Sequence, residues 1–346
     1  MSDQNRFMLR ALELAELGAG SVSPNPMVGC VIVKNNQIIG EGYHQNFGGP
    51  HAEVNAVNSV LDQAQIRGSK VYVSLEPCAH FGKTPPCADL LVQKGVKEVV
   101  ICNDDPNPLV NGGGIKKLRD AGISVTRAVM KEEGAWLNRR FFTSMELQRP
   151  YIILKWAETK DGFVAEKNFN SKWISNEQSR KLVHKWRVEE DAILVGRITA
   201  HFDNPKLTVR DWPGKKNPIR VVIDRHLKLS PDLNLFADKY PTLCYNLIRS
   251  EKVAEAQYIQ LDSNSFLKEL LSDLNSRNIQ SVIIEGGAAT LNAFIDKGLW
   301  DEARVFTGEK RFTEGIAAPK IGGKLISQTK INHDTLSVFV NTQEHG

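Results

Sequence analysis

One imidazole, one carboxylate and two thiols follow one another in an order suited to metal chemistry: His51-Ala52-Glu53, then Glu76-Pro77-Cys78, then Thr84-Pro85-Pro86-Cys87. One nitrogen and two sulfur donors make a ligand set for zinc. Three protein ligands leave the fourth tetrahedral position open to water, as a catalytic rather than a structural site does. Glu53 is not needed as a ligand, so it is available to take a proton from that water and deliver it to a leaving group.

Elements must hold these groups together. Apolar Ala52, Val54, Ala56, Val57, Val60 and Leu61 allow an amphipathic helix over 51–61. Lys70-Val71-Tyr72-Val73-Ser74-Leu75 reads as a strand leading to Cys78. Pro is favoured at the first helical position, so Pro85-Pro86 places Cys87 at the start of another helix. His51 and Cys87 then both lie at helix N-termini, where the dipole favours thiolate over thiol. Two blander readings compete. Cys78 and Cys87 could be ordinary buried cysteines with His51 a helix cap, but the joint pattern with Pro77 and Glu53 weighs against that. A purely structural zinc would take His80 as its fourth ligand and leave Glu53 without a role.

The chain has 346 residues, 41% hydrophobic and 24% charged, the profile of an ordinary globular protein with room for two domains. A net charge of +4 is too small to argue for a nucleic-acid partner. No run of 18 apolar residues is present, so no membrane span is expected. The start, Met-Ser-Asp-Gln-Asn-Arg, lacks the core of a signal peptide. Five irregularly spaced cysteines argue for a reducing, cytoplasmic setting rather than a disulfide framework. The expected assembly is a homo-oligomer of unspecified order.

Taken in order, the first half predicts a helix over 5–17 and a buried strand over 27–33. Asn35-Asn36 turns into a second strand, 37–43. Beyond the cysteines come a strand over 98–102, a helix over 115–121 and a strand over 123–127, an α/β pattern for a mixed sheet with helices on both faces. Gly112-Gly113-Gly114 resembles a phosphate loop weakly; a plain turn opening a helix is the better reading. A linking helix over 136–147 leads to the boundary at Arg149-Pro150, giving domains 1–148 and 149–346. The second half predicts strands over 151–157, 192–196, 219–224 and 281–285, and helices over 177–189, 265–278 and 288–296. Strand, Gly286-Gly287 and helix together suit a phosphate, but there is no Gly-x-Gly-x-x-Gly fingerprint, and such turns are more often structural.

The motifs carry a resemblance. Zinc nucleobase deaminases combine His-x-Glu with Pro-Cys-x-x-Cys. Here eight residues part the thiols, a spacing found in the bifunctional riboflavin-biosynthesis deaminase/reductase family. The chain resembles that family through Pro24-Asn25-Pro26-x-Val28-Gly29-Cys30, Gly40-Glu41-Gly42-Tyr43-His44, His51-Ala52-Glu53-Val54, Leu75-Glu76-Pro77-Cys78 running to Pro85-Pro86-Cys87, and Asp105-Pro106-Asn107-Pro108. The resemblance implies a cytidine-deaminase-like first domain. In it His51, Cys78 and Cys87 match zinc ligands, Glu53 the proton shuttle, and Asn25, His44, His80 and Lys83 substrate contacts.

The second half resembles that family's reductase, implying a dihydrofolate-reductase-like fold that uses NADPH. The matching stretches include Lys155, Asp161-Gly162, Asp191 to Gly196, Asp203-x-Pro205-x-Leu207-Thr208-x-Arg210 and Glu285-Gly286-Gly287. By motif position Ala157, Trp173, Thr199, Asp203, Gly287, Ala288, Ala289, Thr290, Leu291, Asn292 and Ala293 resemble cofactor contacts. Ser171, Arg187, Leu207, Arg210 and Glu285 resemble substrate contacts, with Arg187 and Arg210 expected on the substrate phosphate. Lys155 and Asp203 are the candidates nearest the chemistry. The chain departs from the family at Thr159-Lys160, Asn204, Arg225 and Thr307. The implied substrate is a small phosphorylated pyrimidine, deaminated in the first domain and reduced with NADPH in the second. A deaminase acting on a free or RNA-borne base, and a zinc-stabilised binding protein, are the alternatives; Ser171, Arg187 and Arg210 count against the first and Glu53 against the second.

Overall fold

The computed structural model describes residues 2–79, 85–107, 110, 112–169, 174–214 and 216–342. His80, Lys83, Ser171 and Trp173 lie outside them. The chain divides into two compact units, 1–148 and 149–346.

In the first unit the elements run α1 (Asp3–Glu16), β1 (Gly29–Lys34), β2 (Gln37–Tyr43), α2 (Ala52–Ser59), β3 (Lys70–Leu75), α3 (Cys87–Lys94), β4 (Glu98–Asn103), α4 (Gly113–Asp120), β5 (Ser124–Thr126), α5 (Lys131–Leu137) and α6 (Arg139–Leu147). The sheet order is β2-β1-β3-β4-β5; β2 and β3 flank β1 antiparallel, while β3, β4 and β5 run parallel. Side chains on a strand alternate between faces, and here both faces are covered. Cys30, Ile32, Val71, Val73, Val99 and Ile101 pack with Ala56, Leu91 and Leu118 of α2, α3 and α4. Val31, Val33, Tyr72, Val100 and Cys102 pack against Phe7, Met8, Ala11 and Leu12 of α1. Burial on both sides is why these strands read as near-continuous apolar runs.

The helix expected over 136–147 is corrected: the chain breaks at Asn138, between α5 and α6. The buried Asn138 amide accepts from Met27 N and donates to Met27 O, each at 2.8 Å. Tertiary pairing with the segment before β1 overrides local helical propensity.

The second unit contains β6 (Tyr151–Glu158), β7 (Phe163–Ala165), α7 (Glu177–Glu189), β8 (Ala192–Gly196), α8 (Arg197–Asp203), β9 (Ile219–Ile223), α9 (Asn234–Ala237), β10 (Thr242–Asn246), β11 (Glu251–Val253), β12 (Ala256–Gln260), α10 (Phe266–Ser276), β13 (Ser281–Gly286), α11 (Ala288–Ile295), β14 (Glu302–Thr307), β15 (Ile316–Ala317), β16 (Lys324–Ile331) and β17 (Asp334–Val340). Its main sheet has the order β11-β12-β10-β9-β8-β13-β6-β14-β17-β16. From β12 to β14 the neighbours are parallel; β11, β17 and β16 add antiparallel edges. Ile152, Leu154, Leu194, Val282 and Ile284 face α10 and α11, and Ile153, Ile193, Val195 and Ile283 face Val183 and Trp186 of α7. Among the described residues no helix is long and apolar enough to cross a membrane.

Candidate active sites

In the first unit the loop ends meet at the C-terminal end of β3. His51 is the N-cap of α2, with extended backbone. Cys78 follows β3, and Cys87 is the first residue of α3, capped by Pro86. The His51 Nδ1 lies 3.6 Å from Cys78 Sγ and 3.3 Å from Cys87 Sγ, and the three donor atoms fall within 4.8 Å of one another. Tetrahedral zinc, with Zn–N near 2.0–2.1 Å and Zn–S near 2.3 Å, sets nitrogen and sulfur about 3.5 Å apart. The three side chains therefore fit the ion both in donor type and in spacing.

The local charges suit that ion as well. Hydrogen bonds from the Cys87 thiol, from His51 and from the Cys87 amide, at 3.3 Å, hold Cys78 well below the thiol range, at about 4, against burial. The Cys78 sulfur and burial push Cys87 the other way, so the pair's first proton leaves easily and its second resists. A hydrogen bond to Cys78 raises His51 above its ordinary value, against burial. Glu53, 3% exposed and hydrogen-bonded to Cys87, is raised by burial and by Cys78 to about 7. Beside a bound cation that carboxyl would be drawn back down.

Asn25 and His44 lie next to this cluster. The His44 and His51 rings meet edge-on with centroids 5.7 Å apart. His44 Nδ1 is 3.0 Å from Pro50 O and its Nε2 3.0 Å from Asn25 Nδ2. A carbonyl can only accept, so Nδ1 carries the proton and Nε2 accepts from Asn25. Burial lowers the His44 pKa and keeps that neutral tautomer. Gly42 makes room for the arrangement: a Cβ there would sit 2.3 Å from Ala56 N, so only glycine lets α2 approach β2 this closely.

Glu76 settles what the triple glycine does. Its buried carboxylate accepts from Gly112 N and Gly114 N, both at 3.1 Å, and from Ile115 N at 3.2 Å. The N-terminus of α4 binds an anion, and the anion is the protein's own, two residues before Cys78.

In the second unit a cavity of about 920 Å³ opens over the C-terminal ends of the central parallel strands. It gathers Lys155, Ala157, Arg187, Thr199, Asp203, Leu207, Arg210, Glu285, Gly287, Ala288, Ala289, Thr290, Leu291 and Ala293. Asn292, on the same helix α11, is exposed and is not among the lining residues. Arg187 Nε and Nη2 clasp Glu285 at 2.9 and 2.7 Å, and its Nη1 donates to Thr208 O at 3.2 Å. Arg210 is exposed and makes no ion pair among the described residues. Burial lowers the Lys155 pKa, Glu285 opposing and Arg187 reinforcing that effect. Burial also works against the Glu285 carboxylate, but Arg187 and Lys155 outweigh it and hold the group at about 2.

Several lining residues escaped the reading of the sequence. Arg180, Val183 and His184 join Arg187, named from the sequence, in one stripe of α7 at i, i+3, i+4 and i+7, a spacing visible in the sequence. His184 Nδ1 accepts from Arg210 N at 3.3 Å, and its Nε2 lies 3.3 Å from Asp211 Oδ2. Phe169 and Phe202, stacked at 4.7 Å, also line the cavity, and they carried no signal.

The cytidine and deoxycytidylate deaminase zinc-binding region model matches residues 1–103, and the RibD C-terminal domain model matches residues 150–332. Riboflavin biosynthesis protein RibD of Aquifex aeolicus is 40% identical over 332 residues, covering 94% of this chain and 92% of that protein. The RibD of Escherichia coli is 37% identical over 322 residues, with 88% and 87% covered. A crystal structure of a diaminohydroxyphosphoribosylaminopyrimidine deaminase/5-amino-6-(5-phosphoribosylamino)uracil reductase from Thermotoga maritima matches with a TM-score of 0.90 at 36% identity, covering 98% of this chain and 99% of that one. The class is thus a two-domain enzyme, a cytidine-deaminase-like zinc deaminase followed by a dihydrofolate-reductase-like, NADPH-using reductase. The chain belongs to the RibD family, the bifunctional deaminase/reductases of riboflavin biosynthesis.

Proposed function

We propose that the first unit hydrolytically deaminates 2,5-diamino-6-(5-phosphoribosylamino)pyrimidin-4(3H)-one. The second then reduces the ribosyl side chain of the product to ribityl, giving 5-amino-6-(5-phosphoribitylamino)uracil. His51, Cys78 and Cys87 would hold a zinc ion, which when bound would supply the Lewis acidity that lowers the pKa of a water towards about 7. Glu53 takes a proton from the attacking water and passes it to the departing ammonia. Asn25 and His44, locked in one tautomer, present fixed polar atoms to the pyrimidine.

In the second unit the cavity would hold NADPH, which when bound would supply the hydride that reduces C1′ of the opened imine form of the ribosyl chain. Lys155, with its ammonium weakened by burial, exchanges the proton that accompanies ring opening. Arg187 fixes Glu285 beside it, Arg210 takes the substrate phosphate, and Asp203 and Thr199 sit on the cofactor side. Gly286-Gly287 and the N-terminus of α11, which has no side-chain cap, form the cradle for the cofactor diphosphate. A Cβ at Gly286 or Gly287 would come within 2.9 and 3.2 Å of Thr199, so glycine lets this turn pack closely on the Thr199 side chain.

The observation that carries the reading is the His51, Cys78 and Cys87 triad with donor spacings of 3.3 and 3.6 Å and a buried carboxylate beside it. Purified protein incubated with the diaminopyrimidinone ribosyl phosphate, with and without NADPH, tests it. Mass analysis should find the deaminated product alone without NADPH and the ribityl product with it. Failure to release ammonia under either condition would refute the reading. All five cysteines are free, which supports a cytoplasmic setting. The exposed strand β16, with Leu325 and Ile326 uncovered, supports a homo-oligomer, which sedimentation would test.

A further inference from the structure

The cavity of the second unit is long in one direction. Its floor is built from the C-terminal ends of β9, β8, β13 and β6, adjacent and parallel in that order. Neighbouring strands lie about 4.8 Å apart, so the outer two are separated by roughly 14 Å. Lys155 and Glu285, the groups suited to the reacting carbon, occupy the β6 and β13 end. The Gly286-Gly287 turn lies at the end of β13. A dinucleotide with its nicotinamide at the first place and its diphosphate at the second continues across β8 towards β9.

What waits there is Asp224-Arg225-His226, directly after β9 and all lining the cavity. The Arg225 guanidinium lies over the face of the buried Phe266 ring, 4.6 Å from its centroid. That contact fixes its plane and leaves its N–H edge open. Among the described residues no carboxylate pairs with Arg225. Asp224 is 1% exposed; its Oδ2 accepts from Leu229 N at 2.8 Å while its Oδ1 has no partner.

An acidic residue alone at a strand end reads the hydroxyls of an adenosine ribose, whereas an arginine accommodates a 2′-phosphate. We propose that Arg225 is the group that receives the 2′-phosphate of NADPH and sets the preference for NADPH over NADH. The inference rests on the reductase reading of this cavity. The planar fork on Phe266 matches phosphate oxygens in a way a lysine would not.

The test is calorimetric titration of the full chain with adenosine 2′,5′-bisphosphate and with adenosine 5′-monophosphate, which need no turnover. The parent should bind the bisphosphate more tightly. Arg225→Ser should weaken the bisphosphate roughly ten- to a hundredfold, the loss of a charge-assisted hydrogen bond, and leave the monophosphate within about twofold. Arg225→Lys should fall between. Arg225 is exposed, so the variants should fold, and a thermal melt checks that. If Arg225→Ser leaves the bisphosphate unchanged, or weakens both ligands by one factor as lost packing on Phe266 would, Arg225 is not the receptor. If the parent binds neither nucleotide nor NADPH, the reductase reading of the cavity falls and this inference with it.

Discussion

At the residue scale, two side chains of the first site should separate cleanly in experiment. Cys78→Ser removes a ligand and should abolish stoichiometric zinc, read by metal analysis; a full equivalent retained would refute the ligand assignment. Glu53→Gln keeps the shape but cannot shuttle a proton. It should keep zinc and lose ammonia release by roughly 10²–10⁴-fold, the usual worth of general acid–base catalysis. A rate within about threefold of the parent, far short of that range, would assign the proton to another group. In the second site His184 gives a pH test. Burial and the nearby Arg187 and Arg210 hold it at about 4, below its ordinary 6.5. As pH falls from 6.5 to 4 the unfolded chain takes up this proton before the folded one, so stability is lost across that window. His184→Asn keeps an acceptor for Arg210 N and cannot titrate, so its melting temperature should fall less steeply over that window. Parallel acid limbs would sink the idea. Glu285 acts at lower pH: its contribution is present above 4.5 and disappears as pH falls through about 2.

At the element scale, Glu76 links two loops of the deaminase site. Its three bonds to the start of α4 hold the segment that carries Cys78. Gly114 is pressed against it, since a Cβ there would lie 1.8 Å from Pro77 O. Glu76→Ala should cost about 1–3 kcal/mol, the penalty for leaving buried donors unsatisfied, and should weaken zinc binding as the loop loosens. Denaturant unfolding and competition with a chelator measure the two effects; zinc affinity unchanged in the folded variant would show that the loop does not depend on this cap. Much of this scaffold was legible. The unbroken burial of Cys30 to Val33 and Val71 to Val73 follows from their apolar runs, and His51 and Cys87 stand at helix N-termini as the apolar pattern and Pro85-Pro86 imply. What was not legible is tertiary in origin. Nothing local in Trp136 to Leu147 announces that Asn138 will leave the helix to pair with Met27, which is distant in sequence. Nor does Arg187 declare in sequence that Glu285, 98 residues away, will fill its fork. β16, exposed along nearly its whole length, has no alternation to betray it.

At the scale of the whole molecule, the two sites draw on separate cores. Glu53→Gln should therefore leave NADPH oxidation intact when the deaminated intermediate is supplied. Conversely, Lys155→Ala should abolish NADPH oxidation and spare ammonia release. Paired assays of ammonia and of NADPH absorbance decide this; loss of both activities in a variant still folded by circular dichroism would require one composite site.

Arg149 opens the second unit, and its guanidinium meets Asp301 in two bonds of 2.6 and 2.8 Å, while Asp301 also accepts from Ile152 N at 2.7 Å. The three residues just before it, Glu146, Leu147 and Gln148, are exposed, whereas Arg149 is 8% exposed. For anyone dissecting the enzyme, the place to cut is therefore fixed to within a residue or two. A recombinant fragment covering 149–346 keeps its fastener. One beginning at Tyr151 strands the Asp301 carboxylate and should melt at lower temperature, and restoring Arg149-Pro150 to its start should recover the difference.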